Sequence, residues 1–313
     1  MGEATREAFG QALVALADRF PDLVVLDCDL SKSTMTAEFA KRHPKRHFDL
    51  GIAESNMIGA AAGLALSGKI PVATSFACFL VGRLETIRVA VTLNRANVKL
   101  VGTHAGLGIG DDGASQMGLE DLAALRALPG MTILQPGDGL ETRQAVEWML
   151  GHQGPVYLRL TRQKLDDAHR PDYKFACGKA DVVWLPEPLP KNFQATVFAS
   201  GGTVGGAIAA AKGLLPKGFA VRVVNVGTIA PFDVDAVEDF AKDSARLVTV
   251  EDHNIVGGLG SAVCEAAAML GLAKPVVVLG AREMGESGTP AELYERHGLS
   301  APHIMAACIK NLA

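Results

Sequence analysis

Short apolar runs alternate along the first half of the chain with longer segments in which apolar residues recur at helical spacing. The runs have the length of buried strands, and the segments between them have the length of helices. This alternation predicts a mainly parallel sheet covered by helices on both faces. The predicted strands are 23–26, 71–74, 98–102, 132–135 and 156–160, and the predicted helices after an N-terminal one are 54–67, 82–92, 119–128 and 139–150.

The pattern is interrupted between residues 163 and 194, where four prolines and little periodicity indicate a linker. The alternation then resumes, so the sequence predicts an α/β protein of two domains. The predicted division is 1–165, a linker at 166–194, and a second domain at 195–313. The predicted elements of that domain are strands at 195–200, 219–226, 246–252 and 275–280, and helices after 201, at 234–242, from 261 and near 302.

Length and composition agree with this division. The 313 residues suggest two domains of about 150 residues each, and the chain is 49% hydrophobic with a net charge of −4. Acidic and basic residues are interspersed without a basic stripe, so we expect no nucleic-acid partner. No apolar run reaches the ~20 residues of a membrane span. Five scattered cysteines without a CxxC pair fit a reducing compartment and argue against structural zinc. We therefore expect a cytoplasmic protein without membrane contact.

One acidic residue stands out by its position. Glu54 lies within DLGIAESNM (49–57), where a predicted helix begins. That helix continues through Ala60 to Gly63 and is too apolar to lie on a surface, so Glu54 is expected to be at least partly buried. On position alone, a first-turn carboxylate that complements the helix dipole is the favoured interpretation. A functional carboxylate is the alternative.

Two aromatic residues follow the next predicted strand. Phe76 and Phe79 stand three positions apart in a chain that is only 5% aromatic. At that spacing on a helical turn they can present one face to a flat ring, although ordinary core packing is the alternative. A carboxylate beside a stacking pair has the chemistry that an aminopyrimidine ring requires.

At this point the sequence is seen to resemble the transketolase family along its whole length. Residues 3–165 resemble the pyrimidine-binding domain through EATR, DLSKS, DLGIAESNM, SFACF, GTHAGLGIGDDGASQM, LEDLAALRALPGM, QPGDGLE and RLTRQKL. The part from Ala195 onward resembles the transketolase C-terminal domain through VEDHNIVGGLGSAV and GESGTPAELYERHGLS. The resemblance implies a thiamine-diphosphate-binding fold of the pyrimidine type, followed by a C-terminal domain.

The resemblance also implies roles around the cofactor. Glu54 matches the glutamate that bonds the pyrimidine nitrogen and promotes the imino tautomer, and so counts as catalytic. Phe76 and Phe79 match the aromatic cradle of that ring. A third family aromatic falls at Gly82, so the cradle is thinner here, and Asp29 matches an aspartate near the thiazolium.

Further roles concern the sugar. His104 matches a catalytic histidine that contacts hydroxyls at the carbonyl end of the substrate, and Asp112 matches an aspartate that binds a sugar hydroxyl. Gln116 stands where many relatives carry histidine and is expected to contact the substrate. Arg6, Ser33 and Arg162 match the family's group that binds the terminal phosphate of the sugar, and guanidinium groups suit phosphate oxygens bidentately.

The diphosphate-binding part of the family's site has no counterpart in the sequence. A GDG does occur at 137–139, but it follows Gln135-Pro136 and no Asn pair lies near Gln163. We interpret it as a turn that starts a helix. The resemblance therefore implies no metal ligand in this chain, a partner subunit that binds diphosphate with Mg²⁺ or Ca²⁺, and a split enzyme assembled as α2β2. The position of Met1 just before the EATR motif fits that expectation.

The default expectation is two-carbon ketol transfer from a ketose phosphate to an aldose phosphate, active only with the partner. Pentose phosphate, branched-sugar and sulfosugar roles all stay open. A 2-oxoacid dehydrogenase beta subunit would carry TPLSEQ-type and GPQHSQ-type motifs, where GIAESNM and DDGASQM stand. Deoxyxylulose-phosphate synthase usually comes as one full-length chain. A non-catalytic assembly or regulatory subunit is the alternative outside the enzymes, and the joint presence of Glu54, His104 and Asp112 argues against it.

Overall fold

Two helix-covered sheets organise the chain in the computed structural model, which describes residues 2–309. Their strands, in chain order, are β1 (Leu23–Asp27), β2 (His47–Asp49), β3 (Ile70–Phe76), β4 (Lys99–Thr103), β5 (Thr132–Leu134), β6 (Val156–Arg159), β7 (Asp181–Trp184), β8 (Ala195–Ala199), β9 (Val221–Asn225), β10 (Thr228–Ala230), β11 (Leu247–Asn254) and β12 (Val276–Ala281).

Helices cover both faces of these sheets. They are α1 (Thr5–Leu16), α2 (Ser31–Thr34), α3 (Ala37–Arg42), α4 (Glu54–Leu66), α5 (Ala77–Val81), α6 (Leu84–Thr86), α7 (Asp121–Arg126), α8 (Gly139–Gly151), α9 (Val204–Leu214), α10 (Val234–Lys242), α11 (Leu259–Met269), α12 (Pro290–Arg296) and α13 (Ala301–Ile309). Within residues 2–309, no helix is long and apolar enough to cross a membrane.

The first sheet has the order β10-β5-β6-β4-β3-β1-β2, and the second has the order β12-β11-β8-β9-β7. All pairs are parallel except β10 with β5 and β7 with β9. Strands such as β1, β4 and β8 are buried along their whole length, as expected of parallel strands covered on both faces. The predicted α/β fold is confirmed.

The structure differs from the sequence prediction in several places, and the short elements α2, α3, β2 and β10 were not predicted. The helix predicted at 82–92 starts earlier as α5, is interrupted at Gly82 and Arg83, and continues as α6 and a π-helix at Ile87–Thr92. The predicted linker 166–194 contains β7, an edge strand whose half-buried residues give no apolar run. The short helix α12 was not predicted, although Thr289 and Glu292 form a capping box with Pro290 at its start.

The hydrophobic core runs across both halves of the chain. One cluster of buried side chains joins Phe76, Leu107 and Ile109 from the first half with Val197 and Leu293 from the second. Another joins Leu26 and Met57 with Val224 and Ile229. The two halves therefore bury apolar surface against each other, which holds the loops at their boundary in place.

Candidate active site

The candidate residues gather where the central strands of the first sheet end. Asp29 follows β1, Phe76 ends β3, and His104 follows β4, and these three strands lie side by side. The connection after β1 leads outward to β2, whereas β3 returns on the other side of β1. Ligands of open α/β sheets bind at the carboxyl ends of strands at such a change of direction.

Glu54 is the first residue of α4 and is only 4% exposed. Its Oε1 accepts a hydrogen bond from the Ser75 hydroxyl over 3.1 Å, and Ser75 is the last residue but one of β3. Among the described residues no helix amide donates to this carboxylate, so the contacts do not support the interpretation as a capping side chain. Within residues 2–309, no hydrogen bond joins the second oxygen, Oε2, to another group.

The two phenylalanines follow Ser75, the hydrogen-bond partner of this carboxylate, at the end of β3 and within α5. Their rings stack in parallel, with centroids 5.4 Å apart and planes inclined by 6°. Phe76 also stacks on His104, with centroids 3.8 Å apart. Gly82 ends α5 at an exposed position and adds no side chain. The result is a flat aromatic surface built from two rings.

His104 is held in one protonation state. Its Nδ1 lies 2.9 Å from Thr103 Oγ1, and its Nε2 lies 2.9 Å from Arg6 Nη1. Because a guanidinium only donates hydrogen bonds, Nε2 accepts, so the neutral ring carries its proton on Nδ1. Burial, followed by the charges of Arg6 and Arg162, lowers the pKa of His104 to about 3. The backbone φ of +57° is one that side-chain-bearing residues rarely adopt.

Two arginines converge next to this histidine. Arg6 donates through Nη1 to the Ser33 carbonyl oxygen over 2.9 Å, and its Nε is buried without a partner among the described residues. Arg162 donates to the Ile109 carbonyl oxygen over 2.5 Å and lies 3.7 Å from Asp112 Oδ1. Burial, followed by the charge of Arg162, lowers the pKa of Arg6. Converging cations with an unused donor suit an anionic ligand.

The structure does not connect every candidate to this group. Asp29 has a φ of +61°, its amide donates to Asp49 Oδ1 over 2.9 Å, and the residue is exposed at the end of β1. Asp49 Oδ1 also accepts from the Gly51 amide at the turn that leads into α4. Gln116 ends a short 3-10 helix and is half-buried, and no side-chain hydrogen bond joins it to the other candidates among the described residues.

Sequence reasoning missed the residues that hold the candidates in place. Ser75 bonds Glu54, Thr103 bonds His104, and buried Asp27 accepts from the hydroxyls of Thr34 and Thr74. A signal was available in the sequence, because Asp27, Ser75 and Thr103 are polar residues at or next to the carboxyl end of a buried strand.

The GDG turn at residues 137–139 starts α8, as predicted from the sequence. Asp138 caps α8 by accepting from the Glu141 amide over 2.8 Å, and its other oxygen accepts from the His169 amide and ring over 2.8 Å each. Within residues 2–309, no group of three or more His, Cys, Asp or Glu side chains is arranged to hold a metal ion.

The donor set of the first sheet fits the ring half of thiamine diphosphate. Glu54 offers a buried carboxylate oxygen that can bond a ring nitrogen, and the stacked Phe76 and Phe79 offer an apolar face.

Comparison with known proteins agrees with this geometry. The model of the transketolase pyrimidine-binding domain matches residues 2–167, and that of the transketolase C-terminal domain matches residues 187–304. The chain belongs to the transketolase family. This family uses thiamine diphosphate, and the chain is a subunit of the transketolase type.

Three relatives place the chain within the family. A Methanocaldococcus jannaschii protein named as a transketolase C-terminal section is 40% identical, over 96% of this chain and 93% of its own length. The 6-deoxy-6-sulfo-D-fructose transketolase subunit SqwH of Clostridium sp. is 37% identical, over 96% and 92%. A structure described as a split gene transketolase, inactive beta4 tetramer, superposes with a TM-score of 0.89 at 41% identity, covering 100% and 99%. By contrast, the chain spans about half the length of human transketolase (48%).

Proposed function

We propose that this chain is the pyrimidine-binding subunit of a split transketolase that moves a two-carbon ketol unit from a ketose phosphate to an aldose phosphate. In this reaction the C2–C3 bond of the donor breaks, the donor leaves as an aldose two carbons shorter, and a new bond forms to the aldehyde carbon of the acceptor. The observation that carries the proposal is the buried Glu54, bonded to Ser75 beside the stacked Phe76 and Phe79.

Glu54 acts on the cofactor ring in this proposal. Thiamine diphosphate, when bound, supplies the carbon nucleophile that takes up and releases the ketol unit. The Ser75 hydroxyl holds Oε1, so Oε2 is the oxygen that would bond the ring nitrogen and hold its proton. Phe76 and Phe79 hold the ring plane and keep water away from that proton. Asp29, two residues beyond β1, would offer a carboxylate to the thiazolium ring.

Arg6, Ser33 and Arg162 bind the terminal anion of the sugar. An arriving phosphate is a stronger acceptor for Arg6 than a neutral imidazole, because charge-assisted hydrogen bonds are the stronger ones. When Arg6 turns to the phosphate, His104 Nε2 becomes free to accept from a substrate hydroxyl near the carbonyl end. Asp112, close to Arg162, accepts from a second hydroxyl, and Gln116 contacts the same side of the sugar.

A partner subunit completes the site. This part of the proposal rests on the relatives described as a C-terminal section, as a subunit, and as an inactive beta4 tetramer. Apolar side chains around the start and end of α4 also support it, since Ile52 is 85% exposed and Leu66 is 68% exposed. We propose an α2β2 assembly in which the partner binds the diphosphate through Mg²⁺ or Ca²⁺. A cytoplasmic location fits this metabolic role.

A sulfonated sugar is a second candidate substrate, favoured by the 37% identity to the sulfofructose transketolase subunit. A sulfonate offers oxygens to Arg6 and Arg162 much as a phosphate does, but with a single negative charge. The two arginines are therefore expected to bind either anion. Activity with the phosphorylated donor and with the sulfonated donor has to be compared to tell the two substrates apart.

The experiment is reconstitution of the chain with a subunit that carries the diphosphate-binding motif. Fructose 6-phosphate and 6-deoxy-6-sulfofructose serve as donors and ribose 5-phosphate as acceptor, with thiamine diphosphate and Mg²⁺ present. The complex is expected to form a shortened aldose and an extended ketose, and the chain alone is expected to form neither. Full activity without the partner contradicts the split assembly, and a pure complex without transfer from any donor contradicts the function.

A further inference from the structure

The loop that follows β4 is closed by backbone contacts at its ends. Ala105 and Gly118 form a bridge, and the Gly106 amide donates to the Gly118 carbonyl oxygen over 3.0 Å. Between them lie Ile109, whose carbonyl oxygen accepts from Arg162, and Asp112. Residues 105–118, called the substrate loop below, therefore begin next to His104 and carry both Asp112 and the Ile109 carbonyl oxygen that bonds Arg162.

A side chain of the second domain anchors this loop. Asp252 lies on β11, is 1% exposed, and accepts from the amides of Leu107 over 2.7 Å and Gly108 over 3.0 Å. Its Oδ2 also accepts from the Tyr294 hydroxyl over 2.8 Å, and Gln163 donates to that hydroxyl over 2.8 Å. One carboxylate thus takes up three donors, two of which are backbone groups of the loop.

The loop sequence matches this anchor sterically. A Cβ atom at Gly106 would collide with the Asp252 carboxylate, and one at Gly108 would collide with the Gln163 amide. Gly106 also has a φ of +77°, in the region that favours glycine. The glycine spacing of the loop is therefore explained by the close approach of Asp252 and Gln163.

Apolar contacts hold the loop against the same domain. Leu107, Ile109 and Met117 belong to one buried cluster with Val250 and Leu293 of the second domain. The carboxylate and the cluster together fix the loop in a single position, since buried hydrogen bonds to a charged acceptor are costly to lose.

We propose that Asp252 is a positioning residue through which the C-terminal domain sets the substrate loop, and hence the affinity for the anionic sugar. It acts through the Ile109 carbonyl oxygen on Arg162, and through the loop's start on His104, without touching the substrate itself. This inference rests on the proposed function, since it takes the loop to line the sugar site. It assigns the C-terminal domain a part in substrate binding.

The chain offers a matched control for this residue. Glu251 precedes Asp252 on the same strand and is also fully buried, and neighbouring strand residues point to opposite faces. Its oxygens accept from the Leu259 and Gly260 amides at the start of α11, away from the substrate loop. Glu251→Gln therefore repeats the chemical change of Asp252→Asn at a site that does not touch the loop.

The test compares Asp252→Asn, Tyr294→Phe and Glu251→Gln in the full chain. In Asp252→Asn the new NH₂ group faces a backbone N–H of the loop, so hydrogen–deuterium exchange at Leu107 and Gly108 should rise by about tenfold or more, as expected for loss of a charged hydrogen bond. In the reconstituted enzyme the KM for the phosphorylated donor should rise about tenfold, with a smaller change in kcat. Tyr294→Phe should shift both quantities in the same direction by less.

Glu251→Gln should leave both quantities at their wild-type values, even where it lowers the Tm. Unchanged exchange at Leu107 and Gly108 in Asp252→Asn, or a KM shift no larger than that of Glu251→Gln, overturns the inference. If Asp252→Asn does not fold, Tyr294→Phe decides on the same two readouts. Hydrogen–deuterium exchange is measured without substrate and so does not depend on the reaction. If the wild-type complex shows no ketol transfer, the proposed function is refuted, and the exchange data still decide whether Asp252 anchors the loop.

Discussion

Arg6 and His104 share a hydrogen bond of 2.9 Å between Nη1 and Nε2, although they are almost a hundred positions apart in the sequence. The contact fixes the imidazole as a neutral acceptor and brings a guanidinium to the carboxyl end of β4. Arg6 and His104 hold each other in place before a ligand binds, and such pre-organisation favours binding. Each can then exchange this hydrogen bond for one to the ligand.

Replacement of Glu54 tests the central role in the proposed function. Glu54→Gln should fold normally, because the amide oxygen can still accept from Ser75, but it cannot exchange a proton with the cofactor ring. Turnover of the reconstituted complex should fall by at least about 100-fold, within the range of acid–base contributions. Glu85→Gln, at an exposed position of α6, serves as the control and should be unaffected. Near-normal turnover of Glu54→Gln would remove the role assigned to this carboxylate.

Replacement of Arg6 separates anion binding from the chemical step. Arg6→Lys keeps the charge but loses the planar fork, so the KM for fructose 6-phosphate should rise about tenfold while kcat changes less. The KM for unphosphorylated fructose should stay the same. Arg19→Lys is the control, because Arg19 is exposed and paired with Glu147. An equal loss with both sugars would contradict a phosphate-binding role for Arg6.

Two of the buried histidines, His104 and His169, should affect stability at low pH in opposite directions. The folded pKa of His104 is about 3, so between pH 6.5 and 3 the unfolded chain binds a proton that folded His104 does not. The folded state therefore loses stability as the pH is lowered through this range. For His169 burial lowers the pKa, but Asp138 and Glu141 outweigh it and the net pKa is raised. Its contribution is complete below the ordinary pKa and is lost as pH rises through the raised value.

The measurement is the Tm between pH 4 and 8 for the wild type, His104→Asn and His169→Asn. Relative to wild type, the Tm of His104→Asn should rise as the pH falls, and that of His169→Asn should drop. Parallel curves for all three proteins would show that neither ring titrates with folding.

Loss of one partner of a buried ion pair beneath the substrate loop should be strongly destabilising. Arg159 donates to Asp121 over 2.7 and 3.1 Å, Tyr157 donates to it over 2.6 Å, and the side chains of Arg159 and Asp121 are at most 1% exposed. Burial raises the pKa of Asp121, but Arg159 outweighs that effect and the net pKa is lowered. Asp121→Asn leaves Arg159 buried without its counter-charge and should cost about 3–5 kcal/mol of unfolding free energy.

Urea unfolding measures that loss. The double variant Asp121→Leu/Arg159→Met should recover a large part of it, because a buried pair can be replaced by apolar side chains at little cost. A single variant as stable as wild type would show that the pair contributes little.

The sequence predicted the buried elements well because their signal is local. The runs that became β1, β4 and β8 are mainly apolar and buried, and α10 begins at Val234 and ends at Lys242 as predicted. Elements that depend on distant partners were missed. β7 and β10 are short edge strands whose hydrogen bonds come from β9 and β5, and nothing in their own residues specifies those partners.

The candidate site shows the same division. The resemblance drew attention to Glu54, Arg6 and His104. In the structure Arg6 bonds His104 and Glu54 accepts from Ser75, and the roles of all three stay predictions. Ser75 and Asp252 were not singled out. A hydroxyl on a strand, or an acid within VEDHN, does not by itself indicate which distant residue it will contact. Asp29 and Gln116 remain predictions that await a bound ligand.

The strand β10 links the folding of the two halves. Thr228 and Ala230 pair with Leu134 and Ile133, so the seventh strand of the first sheet is supplied from beyond the second domain's first strands. A fragment that stops in the predicted linker would leave β5 as an open edge, which is a template for intermolecular pairing. The first sheet thus closes only after most of the chain has been synthesised. Exchange of domains between relatives should therefore carry residues 228–230 with the first sheet, even though they lie in the second half of the sequence.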